Sequence, residues 1–167
     1  SYKTWEEMKA TEMLPFEAGI AAGVDVVMTG HITTPNATAD GLPASLSYTM
    51  ITERLRGELG FQGVIVTDAL GMNAIKNYFA PAESAVAALC AGVDVLLMPS
   101  DLRAAFDGVI RAVEDGTLSE ERLNESVRRI LTLKEKAGLP LGTAAPAEEP
   151  LAQEAAEEAV PEKPSDC

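Results

Sequence analysis

The chain has 167 residues, of which 47% are hydrophobic, and this is enough for one medium-sized domain with a buried core. Its formal net charge is −13. An acidic chain without a basic patch is not expected to bind nucleic acid or an anionic lipid surface. No apolar run reaches the roughly 20 residues that a membrane-spanning helix needs. The two cysteines lack the spacing of metal ligands, so we predict no metal site.

Residues 5–138 alternate helical periodicity with short apolar runs, and this alternation predicts a parallel sheet covered by helices. The expected strands are almost continuously apolar and rich in valine, as strands buried on both faces should be. They are residues 24–28, 64–67 and 93–98. The expected helices are residues 7–21, 48–59, 82–91, 101–114 and 120–136. Gly60 stands where the second of these helices needs a left-handed residue at its end.

Two stretches of the chain are nearly the same, "AAGVDVVMTG" at residues 21–30 and "CAGVDVLLMP" at residues 90–99. Each indicates the end of a helix, a glycine stop and a strand, so the chain repeats a helix–strand unit. Asp25 and Asp94 recur in this repeat at the beginnings of their strands. Sites in parallel α/β proteins lie at the carboxyl ends of the strands. We therefore predict structural roles for both aspartates.

Two polar side chains do follow strand ends. Asp68 comes directly after "VIVT", where it could cap the next helix or act as a catalytic carboxylate. His31 follows "VVMTG" and is expected at the same rim of the sheet, although its imidazole could simply bond to the backbone there. The loop that His31 opens is long for a strand-to-helix connection, and long ordered loops are often functional. Position alone leaves both interpretations open for each residue.

The composition changes after Gly142. Residues 143–167 are dominated by Ala, Glu and Pro, contain no aromatic residue, and carry seven acidic side chains against one lysine. Such a segment buries too little apolar area to offset its ordering entropy. We therefore predict one domain over residues 1–142 and a disordered acidic tail over residues 143–167.

Several stretches resemble the second half of the catalytic barrel of glycoside hydrolase family 3, in its β-N-acetylhexosaminidase branch. They are "LPFEAGIAAGVDVVMTGHI", "PASLSYTMITERLRGELGFQGVIVTDALGMNAI", "AGVDVLLMP" and "RLNESVRRILTLKEKAGL". The resemblance implies an α/β fold, a partial parallel (β/α)8 TIM-type barrel with about the last three strands and their helices. It also implies that Asp68 is the nucleophile of a retaining β-glycosidase and that His31 and Met72 bind the sugar.

The same resemblance implies a carbohydrate substrate, a terminal β-linked N-acetylglucosamine, and no cofactor. The general acid of that branch is expected upstream of residue 1, so the chain is expected to lack the acid/base half of the site and to be inactive alone. Two alternatives stay open: a family 3 β-glucosidase or xylosidase, and a non-catalytic carbohydrate-binding α/β module. The sequence indicates neither the oligomeric state nor the compartment, whether bacterial cytoplasm or secretion, because the N-terminus is not expected to be present.

Overall fold

The computed structural model describes residues 1–141, so the predicted tail over residues 143–167 lies outside the described residues. The sheet is built from β1 (Val26–Thr29) and β2 (Val64–Thr67). The α-helices are α1 (Trp5–Lys9), α2 (Leu14–Ala21), α3 (Asn73–Lys76), α4 (Pro81–Ala91), α5 (Leu102–Glu114) and α6 (Glu120–Lys136). A 3₁₀ helix (Ala44–Leu46) and a π-helix (Thr49–Glu58) lie between the two strands.

The two strands are parallel and in register, with Val26 opposite Val64 and Thr29 opposite Thr67. The predicted bounds of β2 are confirmed. The predicted start of β1 is wrong by two residues, because the amide of Val24 still donates to the carbonyl of Gly19 at the end of α2.

The third predicted strand, residues 93–98, forms only one parallel bridge beside β2, between Val95 and Val66. The ladder of backbone hydrogen bonds between this segment and β2 stops there, because the residues after Val95 bond to other partners. The Thr67 hydroxyl oxygen accepts the amide of Leu97 at 3.0 Å, where a strand would use a backbone carbonyl. Met98 then adopts a left-handed backbone conformation with φ 45°, which no continuing strand allows. The prediction of a regular third strand is therefore wrong, although the segment does run parallel to β2.

The helix predictions are mostly confirmed, with one division. The predicted helix over residues 7–21 is two helices, α1 and α2, because Pro15 has no amide hydrogen to donate to the preceding turn. The segment near residues 48–59 is helical but of the π type, with the amide of Leu59 donating to the carbonyl of Arg54. Gly60 follows it with φ 73°, as the sequence predicted.

The core lies between the sheet and the helices that cover one of its faces. Its central side chains are fully buried and come from the π-helix, β2, α3 and the segment after α4: Ile51, Ile65, Ile75 and Val93. On β1, Val27 points into this core, whereas Val26 and Met28 are exposed on the other face. An apolar cavity of 450 Å³ opens between β1, α1, α2 and the π-helix.

These residues therefore form an α/β unit with a small parallel sheet, and residues 1–141 do not by themselves close a barrel. None of the helices in this part of the chain combines the length and the apolar character needed to cross a membrane.

Candidate active site

The carboxyl ends of β1 and β2 bring the two predicted site residues together. Asp68 follows β2 directly, and its amide donates to the carbonyl of Thr29, the last residue of β1, at 2.9 Å. His31 lies two residues beyond Thr29 and reaches the residue after Asp68 with its ring. His31 and Asp68 thus share the carboxyl rim of the sheet, and the positions of Asp25 and Asp94 place those carboxylates at the opposite rim.

Asp68 is half-buried at the rim and does not cap a helix. Its Oδ1 accepts the amide of Ala69 at 2.7 Å, and α3 begins only at Asn73 after the extended residue Met72. Within residues 1–141, no hydrogen bond reaches Oδ2 of Asp68. The helix-capping interpretation is therefore wrong, and the carboxylate presents one held oxygen and one free oxygen.

His31 has both ring nitrogens engaged inside the protein. Its Nε2 lies 3.0 Å from the carbonyl oxygen of Ala69, and its Nδ1 lies 2.7 Å from the hydroxyl oxygen of Ser45. A carbonyl oxygen can only accept, so Nε2 carries the hydrogen, and in the neutral ring Nδ1 accepts from the Ser45 hydroxyl. The expected bond to the backbone is present, and it lies beside Asp68.

The turn after Asp68 is bonded to the segment that follows Val95. The amides of Leu70 and Gly71 donate to the carbonyls of Leu97 and Met98, both at 2.9 Å. A Cβ at Gly71 would lie 3.2 Å from the Met98 carbonyl oxygen, so the absence of a side chain permits this close approach. Met98 pairs its left-handed backbone with a side chain that is 68% exposed, and strain of this kind is concentrated at functional sites.

Met72, the third predicted site residue, starts α3 with its side chain 46% exposed. Sequence reasoning did not single out Ser45 or Met98. The signal for Ser45 was its place in "PASLS", the stretch that opens the most specific part of the resemblance. Met98 carried no comparable signal, because a methionine inside an apolar run is expected to be a buried core residue.

At the opposite rim, Asp94 is a buried structural carboxylate. It accepts the amide of Ile65 at 2.9 Å and the hydroxyl of Ser126 at 2.6 Å. Three guanidinium groups surround it at 2.7, 3.7 and 3.1 Å: Arg56, Arg122 and Arg129. Burial lowers the pKa of Arg56 below its ordinary value, and the charge of Asp94 acts against this shift.

Within the described residues 1–141, the only partner of the Asp25 carboxylate is Lys136, in a surface ion pair of 2.5 Å. The structural roles predicted for Asp25 and Asp94 agree with these contacts. In residues 1–141, no three His, Cys, Asp or Glu side chains are grouped so that they could hold a metal ion.

In enzymes built on a β/α barrel, the catalytic side chains stand at the carboxyl ends of parallel strands, which is the position of Asp68 beside β2. Residues 2–133 match the family described as "Glycosyl hydrolase family 3 N terminal domain". The chain belongs to glycoside hydrolase family 3, and this confirms the family predicted from the sequence.

The chain is similar to a β-N-acetylglucosaminidase/β-glucosidase of Cellulomonas fimi, with 34% identity over 142 residues that cover 80% of this chain and 25% of the relative. Among solved structures, a family 3 β-N-acetylglucosaminidase from Paenibacillus sp. str. FPU-7 superposes with a TM-score of 0.80 and 42% identity, covering 87% of this chain and 28% of that one. The β-glucoside phosphorylase BglX superposes with a TM-score of 0.79 and 28% identity over 86% and 27% of the two chains. The chain thus spans about a quarter of the length of these relatives.

Proposed function

We propose that these residues supply the nucleophile side of a retaining β-glycosidase that removes terminal β-linked N-acetylglucosamine. The observation that carries the proposal is the state of Asp68. Its carboxylate stands at the carboxyl rim with Oδ1 held by the amide of Ala69, while no described hydrogen bond occupies Oδ2. The names of the Cellulomonas fimi and Paenibacillus relatives support the choice of sugar.

The reaction divides into two displacements at the anomeric carbon. In the first, Oδ2 of Asp68 forms a bond to that carbon while the bond to the leaving oxygen breaks, and a general acid protonates that oxygen. In the second, water deprotonated by the same acid/base group attacks the anomeric carbon and releases the Asp68 carboxylate. The bond from Ala69 to Oδ1 holds the carboxylate orientation through both steps.

The sugar is proposed to lie against His31 and Met72. Because both nitrogens of His31 are engaged with Ser45 and Ala69, the ring meets the sugar through its carbon edge. The exposed thioether of Met72 offers apolar contact area beside the nucleophile. These two contacts bind the sugar without competing for the proton that the leaving group needs.

The proposed general acid lies outside residues 1–141. Both nitrogens of His31, the one histidine of the chain, are occupied by Ser45 and Ala69, so this ring is not free to protonate the leaving oxygen. The 167-residue polypeptide alone is therefore expected to show no turnover of an aryl β-N-acetylglucosaminide, since general acid catalysis is typically worth about 10²- to 10⁴-fold. The exposed Val26 and Met28 on β1 should also make it self-associate, which light scattering will show. A monodisperse monomer whose robust turnover is abolished by Asp68→Ala would contradict this assignment.

The proposal is tested by trapping the covalent intermediate in the full-length natural protein that carries this sequence. A slow fluorinated N-acetylglucosaminide with an activated leaving group should label the protein at one site, and peptide mass spectrometry should locate the label on Asp68. A label on another residue, or turnover with inversion, would refute the assignment of the nucleophile.

The same protein distinguishes the other functions. Faster turnover of an aryl β-glucoside or β-xyloside would select the β-glucosidase or xylosidase alternative, and the name of the Cellulomonas fimi relative includes β-glucosidase. Sugar 1-phosphate formed in phosphate buffer would select phosphorolysis, the activity in the name of the BglX neighbour. Sugar binding without turnover would select a non-catalytic carbohydrate-binding module.

A further inference from the structure

The carboxyl ends of β1 and β2 and the segment that follows Val95 are joined at the rim by one series of hydrogen bonds. The Ser45 hydroxyl donates to Nδ1 of His31, and Nε2 of His31 donates to the carbonyl of Ala69. The amide of Leu70, which belongs to the same peptide group as that carbonyl, donates to the carbonyl of Leu97. Bonds arranged in series polarise one another and strengthen the whole chain.

The series begins at a fully buried hydroxyl. Ser45 has 0% exposed surface, and the only hydrogen bond of its side chain in the described region is the one to His31. A buried hydroxyl keeps its partner, because an unpaired polar group inside the protein is destabilising. The Ala69 carbonyl makes Nε2 the donor, and the bond between Ser45 and Nδ1 holds the ring in the orientation that brings Nε2 to that carbonyl.

Both the carbonyl and the amide of Ala69 are hydrogen-bonded, and the bond from the amide goes to the side chain of Asp68. Its carbonyl is held by His31, and its amide donates to Oδ1 of Asp68 at 2.7 Å. The amide of Asp68 is itself bonded to Thr29. The direction in which the Asp68 carboxylate points therefore depends on how Ala69 is set.

We propose that Ser45 and His31 are positioning residues that set the Asp68 carboxylate for attack through the peptide groups on either side of Ala69. The inference rests on the proposed function, in which Asp68 is the nucleophile. A loss of this positioning is expected to slow the reaction strongly, because a misplacement of about 1 Å at a reacting group can cost roughly 10²-fold in rate.

A matched pair of His31 variants separates positioning from sugar contact. In His31→Gln the amide nitrogen takes the place of Nε2 and can still donate to Ala69, whereas His31→Asn reaches only as far as Nδ1 and leaves the Ala69 carbonyl unpaired. Both variants remove the ring that contacts the sugar. The readout is the saturating rate constant for labelling Asp68 with the slow fluorinated N-acetylglucosaminide, together with the KM of an aryl N-acetylglucosaminide.

We expect His31→Gln to label Asp68 at least about tenfold faster than His31→Asn, with similar KM values for the two variants. Ser45→Ala is expected to lower the labelling rate constant by about 10-fold in the wild-type background and by less in His31→Gln, because Gln places no polar atom at the Nδ1 position that Ser45 contacts. Equal labelling by the two His31 variants would overturn the inference. So would a Ser45→Ala effect confined to KM.

The two failures are distinguishable. If the wild-type protein is not labelled on Asp68, the proposed function fails. If Asp68 is labelled equally fast in the wild type, Ser45→Ala and His31→Asn, the proposed function stands and the positioning role is refuted. Should Ser45→Ala fail to fold, the His31 pair still decides, because both of those variants replace the same half-buried side chain.

Discussion

Replacing Asp68 by Asn is expected to lower kcat for an aryl β-N-acetylglucosaminide by about 10⁴-fold or more in the full-length natural protein. An amide does not attack the anomeric carbon, so the first displacement loses its nucleophile. The amide oxygen of Asn can still accept the bond from Ala69, so the loss is chemical and the turn after β2 keeps its conformation. Initial-rate kinetics and the absence of a trapped adduct measure this effect.

Asp25→Asn provides the matched control. Asp25 occupies the position of Asp94 in the repeated "GVDV" unit, at the rim opposite to Asp68, and forms a surface ion pair with Lys136. An exposed ion pair is worth about 0–1 kcal/mol, so kcat should stay within about twofold of the wild-type value. Equal losses in Asp25→Asn and Asp68→Asn would mean that removing a charge, wherever it lies, inactivates the protein, and the assignment of Asp68 would fail.

The sequence was sufficient to predict β2 and the rim because these depend on local pattern. The almost continuously apolar run between Gly63 and Asp68 predicts a buried strand of a parallel sheet. Because the strands are parallel, Asp68 and His31 then lie at the same end of the sheet. The regular third strand failed because its hydrogen bonds depend on distant partners. The hydroxyl of Thr67 and the turn after Asp68 take the bonds of residues 97 and 98, and no local pattern reveals this.

The difference between local sequence pattern and contacts with distant partners also decides which residues of the candidate site could be predicted. The positions of Asp68 and His31 at the rim were predictable because Asp68 directly follows β2 and His31 lies two residues after β1. Ser45 was not, because its contact with His31 depends on how the intervening loop folds back through the 3₁₀ helix Ala44–Leu46. The left-handed backbone of Met98 was not predictable either, because no local pattern marks it and its carbonyl bonds to Gly71, which is distant in the sequence.

A second large effect is expected at the other rim, where Asp94→Asn should destabilise the fold by about 3–5 kcal/mol. The carboxylate is fully buried and is the shared partner of the three arginines around it. An Asn side chain would leave Arg56, whose side chain is largely buried, without its carboxylate partner in the described region, and would leave Arg122 and Arg129 with only the partly exposed Glu125. Denaturant unfolding of the full-length natural protein measures the cost, and the exposed Asp107→Asn, which breaks only the surface pair with Arg103, is the control.

The cause of that loss can be separated from simple cavity or packing effects with a second substitution. If unpaired positive charge is responsible, Asp94→Asn should cost clearly less in an Arg129→Met background, because one of the charges facing Asp94 is then gone. If lost packing or the lost bond to the amide of Ile65 is responsible, the cost should be the same in both backgrounds.

At temperatures where Asp94→Asn is folded, the variant should be labelled at Asp68 as fast as the wild type. The reason is that Asp94 and its arginines lie at the opposite end of the short sheet from Asp68, the proposed nucleophile. Loss of labelling in folded Asp94→Asn would show that the two rims are coupled and that Asp94 is more than a structural residue.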